Sequence, residues 1–103
     1  MVEANNKFMA KAMLTFLSAE EGGRIKAPQS GFHPQIDLGH VQTSCVVESL
    51  EGETVFGFER EHLVSLKLIF DKQYSWLPTV GDLVRLFEGD KLIGTGRVID
   101  PSG

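Results

Sequence analysis

The chain has 103 residues, of which 42% are hydrophobic and 23% charged, and its formal net charge is -4 at pH 7. This length fits one domain with a single core. The chain lacks the run of about 18 apolar residues that a membrane-spanning helix needs, and its polar start differs from a secretory signal, so we expect a cytoplasmic protein. A single cysteine, Cys45, excludes an intrachain disulfide and a cysteine-based zinc site.

Charge is distributed unevenly along the chain. The segment from Glu48 to Glu61 holds five acids against one base, Arg60. The segment from Gly22 to Pro34 has no acid and three basic or titratable side chains, namely Arg24, Lys26 and His33. A negative net charge disfavours nonspecific binding to nucleic acid. The uneven distribution nevertheless allows one loop to face phosphate while another face repels it.

The first predicted element is Lys7–Leu17. Its apolar residues at even positions, from Phe8 to Phe16, share one parity, which predicts a strand with one face on a core. A helix is the competing interpretation, because Ala, Met, Lys and Leu are good helix formers. The alternation and the glycine-containing turn that follows favour the strand.

Alternating segments separated by turns continue along the chain. Five further strands are predicted, at Pro34–Leu38, Gln42–Glu48, His62–Phe70, Leu83–Phe87 and Lys91–Ile99. Val55–Phe58 is a candidate for one more, and Glu88-Gly89-Asp90 predicts a tight hairpin. Strands of this number, without a convincing helix, predict an antiparallel barrel or sandwich, and a barrel would leave no exposed edge. The predicted core comprises Phe8, Leu14, Phe16, Val64, Leu66, Leu68 and Val98.

Three motifs occur in order along the chain. LSAEEGGR covers Leu17–Arg24, SGFHPQI covers Ser30–Ile36 and EGDKLIGTGRV covers Glu88–Val98. Together they resemble the third domain of elongation factor Tu, from about Lys7 to Ile99. The resemblance implies an all-β fold, a six-stranded antiparallel closed β-barrel of the translation-factor type. We therefore expect one domain over residues 1–103, with flexible termini at 1–6 and 100–103.

The same resemblance implies a binding surface. In the family, this domain packs on the GTPase domain, contacts the T-stem backbone of aminoacyl-tRNA and helps to form the surface for the nucleotide-exchange factor. The positions that match its RNA- or partner-binding residues are Arg24, Gln35, Ser44, Glu88, Gly89 and Lys91. A guanidinium can hold a phosphate through two hydrogen bonds, and a glycine lets backbone N–H groups approach RNA closely. His33 and Phe87 stand where the family has arginines, so we expect weakened RNA binding.

Catalysis is not expected. The GTPase domain and the G-x-x-x-x-G-K-[ST] phosphate loop are missing from the sequence, so we expect no bound nucleotide, no GTP hydrolysis and no cofactor. The three histidines lack metal-ligand spacing, and no nucleophile with its base can be assembled from the motifs. The leading hypothesis is a noncatalytic module that binds a protein partner in a translation-related or other interaction role. The alternative is binding of tRNA or another structured RNA through the Arg24–Gln35 loop and the Glu88–Gly89 tip.

The acidic and glycine-rich loop around Arg24 has a second interpretation. Glu20, Glu21 and Arg24 could order the loop by local ion pairs, with the glycines supplying positive φ angles. Likewise, Gly94 and Gly96 are typical of close packing where a small barrel bends.

Overall fold

A computed structural model describes residues 7–39, 42–69 and 79–101. These residues form six strands: β1 (Lys7–Phe16), β2 (Gln35–Asp37), β3 (Gln42–Ser49), β4 (Glu61–Ile69), β5 (Leu83–Glu88) and β6 (Lys91–Asp100). The strands close into a barrel in the order β1-β4-β3-β2-β5-β6, and every neighbouring pair is antiparallel. The predicted all-β, six-stranded closed barrel is therefore confirmed.

The core follows the alternation of side chains along the strands. Six of the seven predicted core side chains are buried, namely Leu14, Phe16, Val64, Leu66, Leu68 and Val98, whereas the side chain of Phe8 lies outside what the structure describes. Burying each of these large apolar groups contributes about 1.5–3 kcal/mol. Cys45 and Val47 of β3 and Val84 and Leu86 of β5 belong to the same core.

β1 is a strand because it is paired on both sides. Its residues from Lys7 to Thr15 pair with β4, and those from Lys11 to Phe16 pair with β6. The helix interpretation of this segment is wrong, since two ladders satisfy the backbone and outweigh a modest local helix propensity. Lys11 pairs with Asp100 and Ala12 with Val98, so the register between β1 and β6 shifts at a bulge in β6 whose extra residue is Ile99.

The segment Val55–Phe58, considered as a further strand, is not one. Val55 makes a single bridge with Gln29, and the Phe56 N–H donates to the Pro28 carbonyl oxygen at 2.9 Å. The barrel is already closed, so it offers no sheet edge to another strand. Phe56 instead turns inward and is fully buried against Phe16, with ring centroids 5.1 Å apart.

The strand ends differ slightly from the expected bounds. β6 continues to Asp100, which pairs with Lys11, so it enters the segment expected to be a flexible terminus. Residues 1–6, Phe70 and residues 102–103 lie outside the described residues. Over the described ranges, we find no helix with the length and apolar character needed to cross a bilayer.

One end of the barrel, which we call the tip end, carries the β5–β6 turn. The antiparallel order also brings the end of β1, the start of β2, the end of β3 and the start of β4 to this end. Two loops cover it, residues 17–34 after β1 and residues 50–60 before β4. Phe32 and Phe56, from these two loops, pack on Phe16, and Phe32 meets it edge-on at 5.9 Å between centroids. The aromatic cluster gives both loops a hydrophobic anchor.

Candidate binding surface at the tip of the β5–β6 hairpin

The β5–β6 hairpin ends in a two-residue turn. Glu88 pairs with Lys91, which leaves Gly89 and Asp90 as the turn residues, so the predicted tight hairpin is confirmed. Gly89 has a φ of 62°, a backbone conformation that glycine adopts without the clash a Cβ would cause. No heavy atom lies within 4 Å of where a Gly89 Cβ would stand. The face of the turn is therefore open to an approaching molecule.

Arg24 makes three contacts, one with this hairpin and two within its own loop. Its Nη1 donates to the Glu88 carboxylate in an ion pair, and its Nε donates to the Lys26 carbonyl oxygen at 2.9 Å. The guanidinium carbon also lies 5.9 Å from the centroid of the Phe32 ring, within the range of a cation–π contact. The loop after β1 is thereby joined to the tip through one preoriented guanidinium.

The ion pair of Arg24 joins it to Glu88, 64 residues away in sequence, whereas the sequence suggested local ion pairs with Glu20 and Glu21. Glu21 accepts hydrogen bonds from the Ser18 N–H at 3.0 Å and the Ser18 hydroxyl at 3.3 Å. This is a capping box around the short 3-10 turn Ala19–Glu21. The turn directs the Glu21 carboxylate back to Ser18, so Arg24 is left to pair with the hairpin. Gly22 has the expected positive φ, 89°, whereas Gly23 does not; a Cβ at Gly23 would stand 2.0 Å from the Leu17 carbonyl oxygen, so close packing requires that glycine.

A depression of about 390 Å³ lies beside Arg24, and we call it the basic depression. Its lining residues are Arg24, Ile25, Lys26, Glu88 and Lys91. Three cations therefore face one carboxylate, and that carboxylate is already paired with Arg24. In the described part of the chain, the Lys26 and Lys91 ammonium groups make no ion pair. Ile25 is 84% exposed among these charges.

A second depression, of about 310 Å³, lies on the other side of the hairpin, and we call it the acidic groove. It is lined by Gln35, Ile36, Asp37, Gln42, Phe87, Gly89 and Asp90. The Asp37 carboxylate accepts from the Gly39 N–H at 2.7 Å and from Gln42 Nε2 at 3.3 Å. Asp90 is exposed at the turn. The hairpin thus separates a depression lined by three cations and one carboxylate from a groove lined by two carboxylates, of which Asp37 lies opposite Arg85 on β5.

All six residues expected in a binding surface lie around this hairpin. Arg24, Glu88 and Lys91 line the basic depression, and Gln35 and Gly89 line the acidic groove. Ser44 is the cross-strand neighbour of Gln35, and Gln35 Nε2 donates to the Ser44 hydroxyl oxygen at 3.4 Å. We call the surface formed by these six residues the tip surface.

His62 is a structural residue of the tip end that the sequence interpretation missed. Its ring is fully buried, with Nδ1 2.8 Å from Glu53 Oε1 and Nε2 2.7 Å from the Gly57 carbonyl oxygen. Phe16 and Phe56 flank the ring, at centroid distances of 5.9 and 5.2 Å. Both polar contacts reach into the loop of residues 50–60. The signal was present in the sequence, because residue 62 shares the inward parity of Val64, Leu66 and Leu68.

Cys45 points into the core and is fully buried. Burial raises the pKa of its thiol to about 12, so at neutral pH it is the neutral thiol and not a nucleophilic thiolate. Cys45 is therefore a small buried hydrophobic residue of the core. Across residues 7–39, 42–69 and 79–101, no three potential metal ligands of the His, Cys, Asp or Glu type come together.

Comparison with known proteins adds no family to these observations. The chain matches no protein-family model, and no curated protein matches it either.

Proposed function

We propose that this chain is a noncatalytic binding module of the kind found as the third domain of elongation factor Tu, and that it binds a protein partner through the tip surface. The observation that carries the proposal is the opposite charge of the two depressions that flank one hairpin. A patch with both signs of charge and an exposed aliphatic side chain complements a protein surface, which offers acids, bases and apolar groups together. The backbone of a polyanion offers only negative charge.

The positions of the three sequence motifs support the class of module. Leu17–Arg24 forms the loop that returns to the hairpin, Ser30–Ile36 leads into β2, and Glu88–Val98 contains the turn and most of β6. The motifs therefore meet at the tip end, although up to 64 residues separate their contacting side chains in sequence. The noncatalytic part of the proposal rests on the missing phosphate loop and on the buried, protonated Cys45.

The proposal is tested by capture from a lysate of the cells that make the protein, with bound protein and bound RNA both quantified. The bait is the tagged full chain, compared with Lys91→Glu at the tip surface and with Lys67→Glu on β4 as a matched charge reversal. We expect a protein that is retained by the wild type and by Lys67→Glu and lost from Lys91→Glu. Equal retention by all three baits, or enrichment of RNA without protein, would overturn the proposal.

RNA binding is the second candidate function, and the cluster of Arg24, Lys26 and Lys91 in one depression favours it. The carboxylates of Glu88 and Asp90 beside that cluster oppose it, because they repel a phosphate backbone. We therefore expect tRNA to bind only above about 10 μM at physiological salt, in the range of nonspecific contact. A submicromolar complex with tRNA that weakens upon Arg24→Ala but not upon Lys67→Ala would make RNA binding the better-supported function.

A further inference from the structure

The basic depression has the features of a site for a single, well-placed anion. Arg24 is held by Glu88, by the Lys26 carbonyl and by Phe32, so its guanidinium is preoriented. Its side chain retains 26% of its exposed area, and Lys26 and Lys91 are exposed on the same depression. An anion that enters there meets one rigid donor, the Arg24 guanidinium, and two flexible ones, the Lys26 and Lys91 ammonium groups. Because Arg24 is already oriented, the protein loses little conformational entropy when the anion binds.

Ile25 adds an apolar requirement to the same site. At 84% exposed it is the most exposed of the large hydrophobic residues in the described part of the chain. It stands between Arg24 and Lys26 and lines the same depression as both. An aliphatic group of a ligand that covered Ile25 would bury apolar area, at about 25 cal/mol per Å². The ligand that fits therefore carries an anion and an aliphatic group side by side.

The surroundings of the depression limit the length of the anion. Glu88 forms part of its wall, and Asp90 and Asp37 line the acidic groove immediately across the hairpin. A phosphate backbone that continued over the turn would bring further negative charges against these carboxylates. A peptide can place one carboxylate in the depression and continue with neutral or basic residues over the turn.

We infer that the basic depression binds a short segment of a partner protein in which a Glu or Asp side chain is next to an aliphatic one. The carboxylate pairs with Arg24, Lys26 and Lys91, and the aliphatic side chain covers Ile25. This inference rests on the proposed function, which makes the partner a protein. It adds the chemistry of the segment that the depression recognises.

The test is a titration of the isotope-labelled full chain, followed by the NMR signals of its backbone amides. The probe is a short capped peptide of glycine with one Glu-Leu pair, and the controls replace its Glu by Gln or its Leu by Gly. We expect shifts confined to residues 24–27 and 88–92, with a dissociation constant of about 1 mM or tighter. The Gln peptide should bind about tenfold more weakly, and the Gly peptide several-fold more weakly.

Matched variants and a competing ligand sharpen the result. Lys91→Glu should weaken binding of the Glu-Leu peptide about tenfold, and Lys67→Glu should change it less than about twofold. Equal binding of the Glu and Gln peptides, no binding at millimolar concentration, or stronger binding of oligouridylate of the same length would overturn the inference. The proposed function would survive the first two outcomes if the lysate experiment still captured a protein through Lys91.

Discussion

The Cys45 thiol shows how the core controls the chemistry of a single residue. Burial raises its pKa from the ordinary 9.0 to about 12, so the folded protein holds the thiol proton more tightly than the unfolded chain does. The stabilisation from this proton is therefore complete below pH 9.0 and is lost as the pH rises toward 12. We expect Cys45→Ala to show a shallower loss of stability than the wild type over this alkaline range, in urea unfolding at fixed pH values.

The same burial predicts that a thiol reagent modifies Cys45 no faster than the protein unfolds. Modification of the native protein at neutral pH should be slow and should become rapid in denaturing urea, as measured by release of the chromophore of a disulfide reagent. Native labelling at the rate of a free thiol would show that β3 does not enclose Cys45.

Gly96 lies where two strands approach too closely for a side chain. A Cβ at this position would stand 1.9 Å from the Met13 carbonyl oxygen and 2.6 Å from Leu14 Cδ2. We expect Gly96→Ala to destabilise the protein by about 1–3 kcal/mol, since β1 would have to move. Gly57→Ala is the matched control, because no heavy atom lies within 4 Å of its added Cβ, and its effect should stay within about 0.5 kcal/mol. Equal losses in thermal or urea unfolding would contradict the close approach of β1 and β6.

At the scale of elements, the loop of residues 50–60 depends on the first inward side chain of β4. His62 bonds to Glu53 and to the Gly57 carbonyl while fully buried. We expect His62→Ala to lower the free energy of unfolding by about 2–4 kcal/mol, since it removes a packed ring and leaves a half-buried carboxylate and a carbonyl without their partner. Limited proteolysis should then cut the loop of residues 50–60 before it cuts the strands.

A conservative change at Glu53, the partner of His62, separates the contribution of the buried ring from that of the ion pairs. Glu53→Gln keeps an oxygen that can accept from His62 Nδ1, and it should cost less than half as much as His62→Ala. Arg60 also pairs with Glu53, but the Arg60 side chain is 54% exposed, so the loss of that ion pair adds little. If Glu53→Gln proved as damaging as His62→Ala, the ion pairs and not the buried ring would hold the loop.

The strands themselves were largely predictable from the sequence, because burial on one face of a strand imposes a period of two. β1 and β4 show this most clearly. Every predicted core residue on these two strands whose side chain the structure describes is buried. The sequence pattern of Val55–Phe58 resembles that of a strand, but the side chain of Phe56 instead packs into the end of the barrel. No local pattern distinguishes these two uses of an apolar residue, since the difference depends on whether a sheet edge is free.

The resemblance grouped the six residues of the tip surface, whereas their arrangement in space could not be predicted. The barrel does bring Arg24, Gln35 and Glu88 to one end. The pairing of Arg24 with Glu88 spans 64 residues, and only the order of the strands decides it. The opposite charge of the two depressions also follows from which strands flank the hairpin, so the sequence alone could not reveal it.

At the scale of the whole molecule, the barrel is a rigid support for a surface with two signs of charge. The net charge of -4 is unevenly distributed, and the acidic segment between Glu48 and Glu61 covers the same end of the barrel as the tip surface. Long-range attraction therefore favours a partner whose approaching face carries positive charge around a local acidic group. Such a mixed face is common on proteins and foreign to nucleic acids.

Crosslinking from the tip surface tests the central claim most directly. A photoreactive benzophenone amino acid would replace Ile25 in the full chain, and a second protein would carry it at Val80, which is 62% exposed near the start of β5 at the opposite end of the barrel. After irradiation in a lysate of the cells that make the protein, we expect a crosslinked protein from position 25 that Lys91→Glu abolishes and that position 80 does not give. Crosslinks from position 25 to RNA alone, or the same protein products from both positions, would contradict a protein-binding surface at the hairpin tip.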